Sequence, residues 1–291
     1  MFDGVHSGHR SILQQIKDEA KEHDGESVVL SFWPHPRMLF EGADCPLRFL
    51  TSIEEKASLL DELGIDHFIV YPFTRQFSSM SPKEYVEEIL VNKIGAKKVI
   101  VGYDHRFGHK GAGGFEEMQL FGKQFGFDVA QIPAFDIDEI NISSSKIREA
   151  LIDGNVLLAN SYLSYDYFIS GTVVKGNQIG RTIGFPTVNI EPSFPQKLIP
   201  GNGIYVVEVE IDGESFQAVA NVGNRPTVVE NQLIPNVEAY IFDFNSDVYG
   251  KEIKISFKDF LREEKKFNSI DVLKHQINLD VENAIEWFLD K

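Results

Sequence analysis

The chain has 291 residues, 28 Lys and Arg against 44 Asp and Glu for a formal net charge of −16, and is 43% hydrophobic. That length gives a prior of about two domains; the composition excludes a disordered chain, and the charge excludes a general nucleic-acid binder, because phosphate backbones need clustered positive charge. A single cysteine, Cys45, excludes an intrachain disulfide; no apolar run reaches the ~20 residues that span a bilayer, and the first residues lack a signal peptide's basic start and apolar run, so the expectation is a soluble cytoplasmic protein with no membrane or nucleic-acid partner.

In chain order, Ile12, Leu13, Ile16 and Ala20 form a helical stripe, and residues 27–32 (SVVLSF) read as a short strand. A second stripe runs through Ile53, Ala57, Leu60 and Leu63, followed by strand-type runs at 66–71, 97–101 and 127–132. Ser81-Pro82-Lys83-Glu84 reads as a helix start, with Ser as N-cap, Pro in the first turn and Glu closing a capping box. Strands alternating with helices predict a parallel sheet with helices on its faces, a sheet type that binds ligands beyond the carboxyl ends of its strands. Near Tyr167 the pattern changes. Tyr205, Val207, Val209 and Ile211 alternate with Glu208 and Glu210, Ile253, Ile255 and Phe257 alternate with lysines and a serine, and glycines punctuate the turns. This predicts a small antiparallel barrel. A final helical stripe holds Ile270, Leu273, Ile277, Val281, Ala284 and Phe288. The expected domains are 1–163 and 164–291, abutting without a low-complexity linker.

Three segments carry chemistry. Phe2-Asp3-Gly4-Val5-His6-Ser7-Gly8-His9 places two histidines around a glycine just ahead of a helical stripe. A helix N-terminus favours phosphate, Gly8 allows close backbone approach, and imidazoles donate to a phosphate whose charge grows during displacement. A structural turn or a zinc pair are the alternatives, though no nearby Cys or His cluster completes a zinc site. In Gly180-Arg181-Thr182-Ile183-Gly184-Phe185-Pro186-Thr187-Val188-Asn189, Thr187 and Asn189 offer hard oxygens suited to Mg²⁺, and the run Gly176 to Gly184 is able to wrap phosphates with backbone N–H groups. An ordinary turn followed by a strand is the alternative. Ser144, Ser145, Lys146 and Arg148 open a helix with capping and cationic groups near its positive end.

The first segment resembles the HxGH signature of nucleotidyltransferases, and its FDGVHxGH form is similar to bacterial FMN adenylyltransferases. Phe32-Trp33-Pro34-His35-Pro36, Val101 to Gly108 and Ile142 to Arg148 resemble the same family in order, while Gly184 to Asn189, Asn221 to Thr227 and Val237 to Tyr240 resemble riboflavin kinases. Together the motifs resemble the bifunctional riboflavin kinase/FMN adenylyltransferase family, the prokaryotic FAD synthetases. The resemblance implies a Rossmann-like nucleotidyltransferase domain followed by a six-stranded riboflavin kinase barrel with C-terminal helices. It implies riboflavin, FMN, FAD and ATP as substrates and products, with Mg²⁺ at both steps. It implies Glu238 as base toward the riboflavin 5′-hydroxyl, although Tyr240 stands where relatives often have His. His6 and His9 would stabilise the attacked phosphate. Gly8, Asp104, Ser144, Ser145, Arg148, Gly176, Gly180 and Gly184 would contact ATP, Thr187 and Asn189 the metal, and Arg262 the flavin.

Relatives carry a strand and a glycine ahead of FDGVHxGH, whereas this chain begins one residue before Phe2. The expectation is a first sheet without its usual central strand, through a start codon assigned too late or through an impaired adenylyltransferase half; the first is the reading favoured. A riboflavin kinase alone, with that half degenerate, is the alternative function. A flavin-binding regulator is disfavoured because Glu238, Thr187 and Asn189 are all kept.

Overall fold

The computed structural model describes residues 2–42, 45–102, 105–132, 142–176, 179–226 and 233–291. The chain divides into two compact units: residues 1–47 and 56–142 form the first, and residues 48–55 and 143–291 the second.

In the first unit β1 (Val28–Trp33) pairs in parallel with β2 (His67–Pro72), and β3 (Lys98–Gly102) with β4 (Asp128–Ile132). All four strands lie within two residues of the predicted runs. Helices connect them: Ser7–Glu22 before β1, Ile53–Glu62 before β2, Pro82–Glu84 continuing as the π-helix Tyr85–Ile94 before β3, and Phe115–Phe125 before β4. Ser81 caps as expected, its hydroxyl accepting from Glu84 N and Glu84 Oε2 accepting from Ser81 N at 2.7 Å. Val86, Ile89, Val101, Phe107 and Met118 form a buried core between the π-helix, β3 and the fourth helix.

Among the described residues β1 and β3 do not pair with each other, so the unit contains two two-stranded sheets. A cavity of ≈ 1310 Å³ lies between these strands, with Val28–Leu30 on one side and Lys98–Gly102 on the other. Ile12 and Ile16 of the first helix and Leu90 and Ile94 of the π-helix also line it.

The second unit contains a closed barrel. Its strands are β5 (Phe168–Val174), β6 (Val188–Pro192), β7 (Gly203–Ile211), β8 (Glu214–Pro226), β9 (Leu233–Ile241) and β10 (Glu252–Arg262), in the order β10-β5-β6-β9-β8-β7. All pairs are antiparallel, with β10 also pairing β7 to close the ring. Closure removes both sheet edges. The period-2 pattern sends Val222, Val237, Ala239 and Phe257 inward, all buried. Tyr205 packs edge-on against Phe257 at 5.3 Å, and the Tyr167 hydroxyl donates to Leu198 O at 2.6 Å.

Helices Ser144–Ile152 and Val156–Leu163 belong to this unit. Asn160 joins the second of them to the barrel, its amide donating to Phe257 O at 2.8 Å and accepting from Tyr167 N at 2.8 Å. Residues 48–55 are bound into the same unit. Phe49 N donates to Gln196 O at 2.9 Å, and Lys197 Nζ meets Glu55 Oε2 at 2.6 Å and Leu50 O at 2.7 Å. The C-terminal helix Ile270–Leu289 docks through Asp280, which takes both arms of the Arg262 guanidinium at 2.7 and 2.6 Å.

Candidate functional sites on the two units

The first site is built on a tight N-terminal turn. Gly4 has φ 80, and Val5, a β-branched residue, is held at φ 38 while fully buried. Such backbone persists only where its surroundings fix it, which is common at functional sites. The turn delivers His6 to the N-cap of helix Ser7–Glu22, where its Nδ1 accepts from His9 N at 3.4 Å. The two imidazoles stack at 3.6 Å and 19°, and Phe2 packs edge-on against His9 at 5.0 Å. Gly8 favours this stack, since a Cβ there would crowd the His6 ring at 3.3 Å.

Burial is the main cause that pushes His6 down to about 4, with Asp3 opposing. Burial also takes His9 well below the usual histidine range, with the charges of His6 and Lys56 adding to it. Both rings are therefore neutral at pH 7, each with one N–H to donate, and among the described residues His9 Nδ1 is buried without a hydrogen-bond partner. Lys56 was not among the sequence-predicted site residues. It is 4% exposed, and burial lowers its ammonium while Asp3 supports it. The signal was present: Lys56 stands three residues after Ile53 and four before Leu60, a cation on the apolar stripe.

Ser144, Ser145 and Arg148 belong to the second unit, His6 and His9 to the first. Ser143, not Ser144 or Ser145, is the N-cap; it accepts from Lys146 N at 3.3 Å and leaves the two predicted serines in the first turn. Arg148 Nε donates to Arg48 O at 2.9 Å. Asp104 lies outside the described residues.

The second site lies on the barrel's outer side. In the β6–β9 register Asn189 stands opposite Glu238, and in the β8–β9 register Asn221 stands opposite Glu238 on its other flank. Cross-strand partners project from the same face. Asn236 Nδ2 donates to Glu238 Oε1 at 2.8 Å, and Thr187 Oγ1 lies 3.5 Å from Glu238 Oε2, at the outer limit of a hydrogen bond. Phe185 meets Tyr240 edge-on at 5.4 Å beside this row. The structure thus brings Thr187, Asn189 and Glu238 together.

The glycines before β6 have specific steric roles. A Cβ on Gly176 would fall 2.7 Å from Asn189 Cγ, one on Gly180 would strike Phe185 O, and Gly184 has φ 95. Gly176 and Gly180 thus let the backbone pass close to Asn189 and Phe185. Replacing Gly176 with Ala should displace the Asn189 amide and slow any reaction run at this row by about 10²-fold, the cost of ~1 Å of misplacement. Steady-state rates and a thermal melt test this; a rate unchanged in a folded variant would refute the role.

Arg262 is held by Asp280 and donates also to Glu263 O at 2.9 Å, and its Cζ lies 5.9 Å from the Phe267 ring centroid.

The first unit is a parallel α/β fold with a histidine pair on a helix N-terminus, and the second a barrel presenting Asn189 and Glu238 on adjacent strands with Thr187 just before the first of them. Comparison with known proteins agrees: residues 1–146 match the family model for FAD synthetase and residues 163–288 that for riboflavin kinase. Proteins described as bifunctional riboflavin kinase/FMN adenylyltransferase are similar along the whole chain. That of Haemophilus influenzae is 40% identical over 99% of this chain and 92% of its own length. Those of Escherichia coli and Bacillus subtilis are 38% and 36% identical, each over 99% of this chain and 90% of the relative. A solved structure titled as a macrolide-efflux protein from Streptococcus pneumoniae has 31% identity and a TM-score of 0.88, covering 98% of this chain and 92% of that one. In the present chain, no helix among the described residues is long and apolar enough to cross a membrane. The chain belongs to the bifunctional riboflavin kinase/FMN adenylyltransferase family.

Proposed function

We propose that this chain makes FMN from riboflavin and then FAD from FMN, in the cytoplasm, with residues 164–291 serving the first reaction and residues 1–163 the second. The observation that carries the first assignment is the row of Thr187, Asn189 and Glu238 on adjoining barrel strands. In the kinase step the riboflavin 5′-oxygen attacks the γ-phosphorus of ATP. The new P–O bond forms as the bond to ADP breaks, and Glu238 takes the hydroxyl proton. Asn236 orients the carboxylate from the side away from Thr187.

Thr187 and Asn189 fit Mg²⁺. They are neutral hard-oxygen donors, and no group of three or more His, Cys, Asp or Glu able to hold a metal exists among the described residues. A cation there would complete its shell with nucleotide phosphate oxygens and water, as Mg²⁺ commonly does. When bound it supplies charge neutralisation at the transferred phosphate. The backbone N–H groups of Gly176, Gly180 and Gly184 would meet those phosphates. Arg262, steadied by Asp280 and lying over Phe267, contributes to the flavin end.

In the adenylyl step an FMN phosphate oxygen attacks the α-phosphorus of ATP and pyrophosphate leaves. The neutral His6 and His9 donate N–H groups to the α-phosphate as its charge grows. Gly8 permits their stack.

Thr187→Val tests the separation of sites. It keeps the side-chain shape and removes the oxygen, so the KM for Mg-ATP in the kinase step should rise at least about tenfold. FAD formation from supplied FMN should not change. Equal damage to both activities would refute the assignment of Thr187 to one site.

A further inference from the structure

Asn221 belongs to the Glu238 row but has no part in the reactions above. Its Oδ1 is shut off from solvent and has no hydrogen-bond partner among the described residues. A buried acceptor left unpaired is costly, and each instance in a folded protein calls for a reason. Asn221 faces Glu238 across the β8–β9 ladder, on the flank opposite Asn189. Its neighbours Ala220 and Val222 point into the barrel and are fully buried, so Asn221 shares the outer face with the row.

We propose that Asn221 Oδ1 accepts a hydrogen bond from the riboflavin 4′-hydroxyl, the donor one carbon along the ribityl chain from the hydroxyl that is phosphorylated. This inference rests on the reading of Glu238 as base. The metal donors sit on and beside β6, and Asn221 on β8 is two strand spacings away, about 10 Å. With Mg–O distances of about 2.1 Å, a cation on Thr187 and Asn189 is not shared with Asn221. In-line attack fixes the rest. The phosphate lies toward Thr187 and Asn189, the 5′-oxygen lies at Glu238, and the remainder of the nucleophile extends away from the leaving group. That direction is toward β8, where the next hydroxyl of the polyol meets an acceptor that lacks a donor.

The test is kcat/KM of the kinase step for riboflavin and 4′-deoxyriboflavin in the wild type and in Asn221→Ala. The wild type should use the deoxy substrate about 10–100-fold less well, the effect of leaving a buried hydrogen-bonding group unpaired. Asn221→Ala should lose a similar factor on riboflavin and nothing further on the deoxy substrate. Equal loss on both substrates, or a wild type that does not distinguish them, would overturn the proposal. So would a shift in the Mg²⁺ concentration for half-maximal rate, which would make the oxygen a metal donor. If a thermal melt shows Asn221→Ala to be unfolded, Asn221→Ser carries the same comparison, and the wild-type arm decides by itself if it shows no discrimination. Failure of the base reading is separately visible, because Glu238→Gln would then retain turnover on both substrates.

Discussion

Glu238→Gln should abolish FMN formation, lowering kcat by ~10²–10⁴, the usual contribution of a general base. Riboflavin binding should be nearly unchanged. The substitution is isosteric: the Gln oxygen can still accept from Asn236, which donates to Glu238 Oε1 at 2.8 Å in the native site. The capacity to take a proton is lost with little change of shape, so the effect belongs in kcat rather than KM. FAD formation from supplied FMN should proceed at the wild-type rate, because Glu238 lies in the second unit and the histidine pair in the first. Riboflavin titration by flavin fluorescence and single-turnover rates separate binding from chemistry. Wild-type turnover in the variant would show that another group takes the proton.

His9→Ala should lower FAD formation by ~10²–10³, the cost of removing one preorganised donor aimed at developing phosphate charge. The kinase step should be untouched. The effect is expected to be large because the ring is tightly placed: it stacks on His6 at 3.6 Å, and its Nδ1 is buried without a partner among the described residues. Ionisation gives a second signature. Burial lowers His6 to about 4 and His9 well below its ordinary value, so neither ring changes charge between pH 6 and 8. A group with a depressed cationic pKa is protonated only as pH falls through that lower value. The adenylyl rate should therefore stay flat across pH 6–8 as far as the imidazoles are concerned. A drop centred near pH 6.5 that vanishes in His9→Ala would contradict neutral donors.

Apolar runs placed β1–β4, Ser81 and Glu84 gave their capping box, and alternation gave the barrel's inward residues. The kinase row was legible only through its motifs, because a strand residue opposite Glu238 is fixed by register, and register is not visible within one strand. Long-range pairing hid the rest. Nothing local says that residues 48–55 join the barrel's unit; that follows from Glu55 meeting Lys197, 142 positions later. Apolar periodicity places Ile270 on the C-terminal stripe, where it is 61% exposed, and leaves out Asp280, which is 3% exposed. Asp280 is inside because Arg262 pays for it with two charge-assisted hydrogen bonds. Lys56 is the same case: a pattern that sorts residues into apolar and charged misses a charge the fold has buried. The glycines at 176 and 180 approach Asn189 and Phe185 closely, a contact between distant backbone positions that no local pattern encodes.

The measurement that bears most directly on two separate sites is product analysis by liquid chromatography after incubation with riboflavin and Mg-ATP, or with FMN and Mg-ATP. The wild type should convert riboflavin through FMN to FAD. Glu238→Gln should leave riboflavin unchanged yet turn FMN into FAD, and His9→Ala should stop at FMN. FAD made from riboflavin by Glu238→Gln, or loss of both activities in either folded variant, would contradict the account.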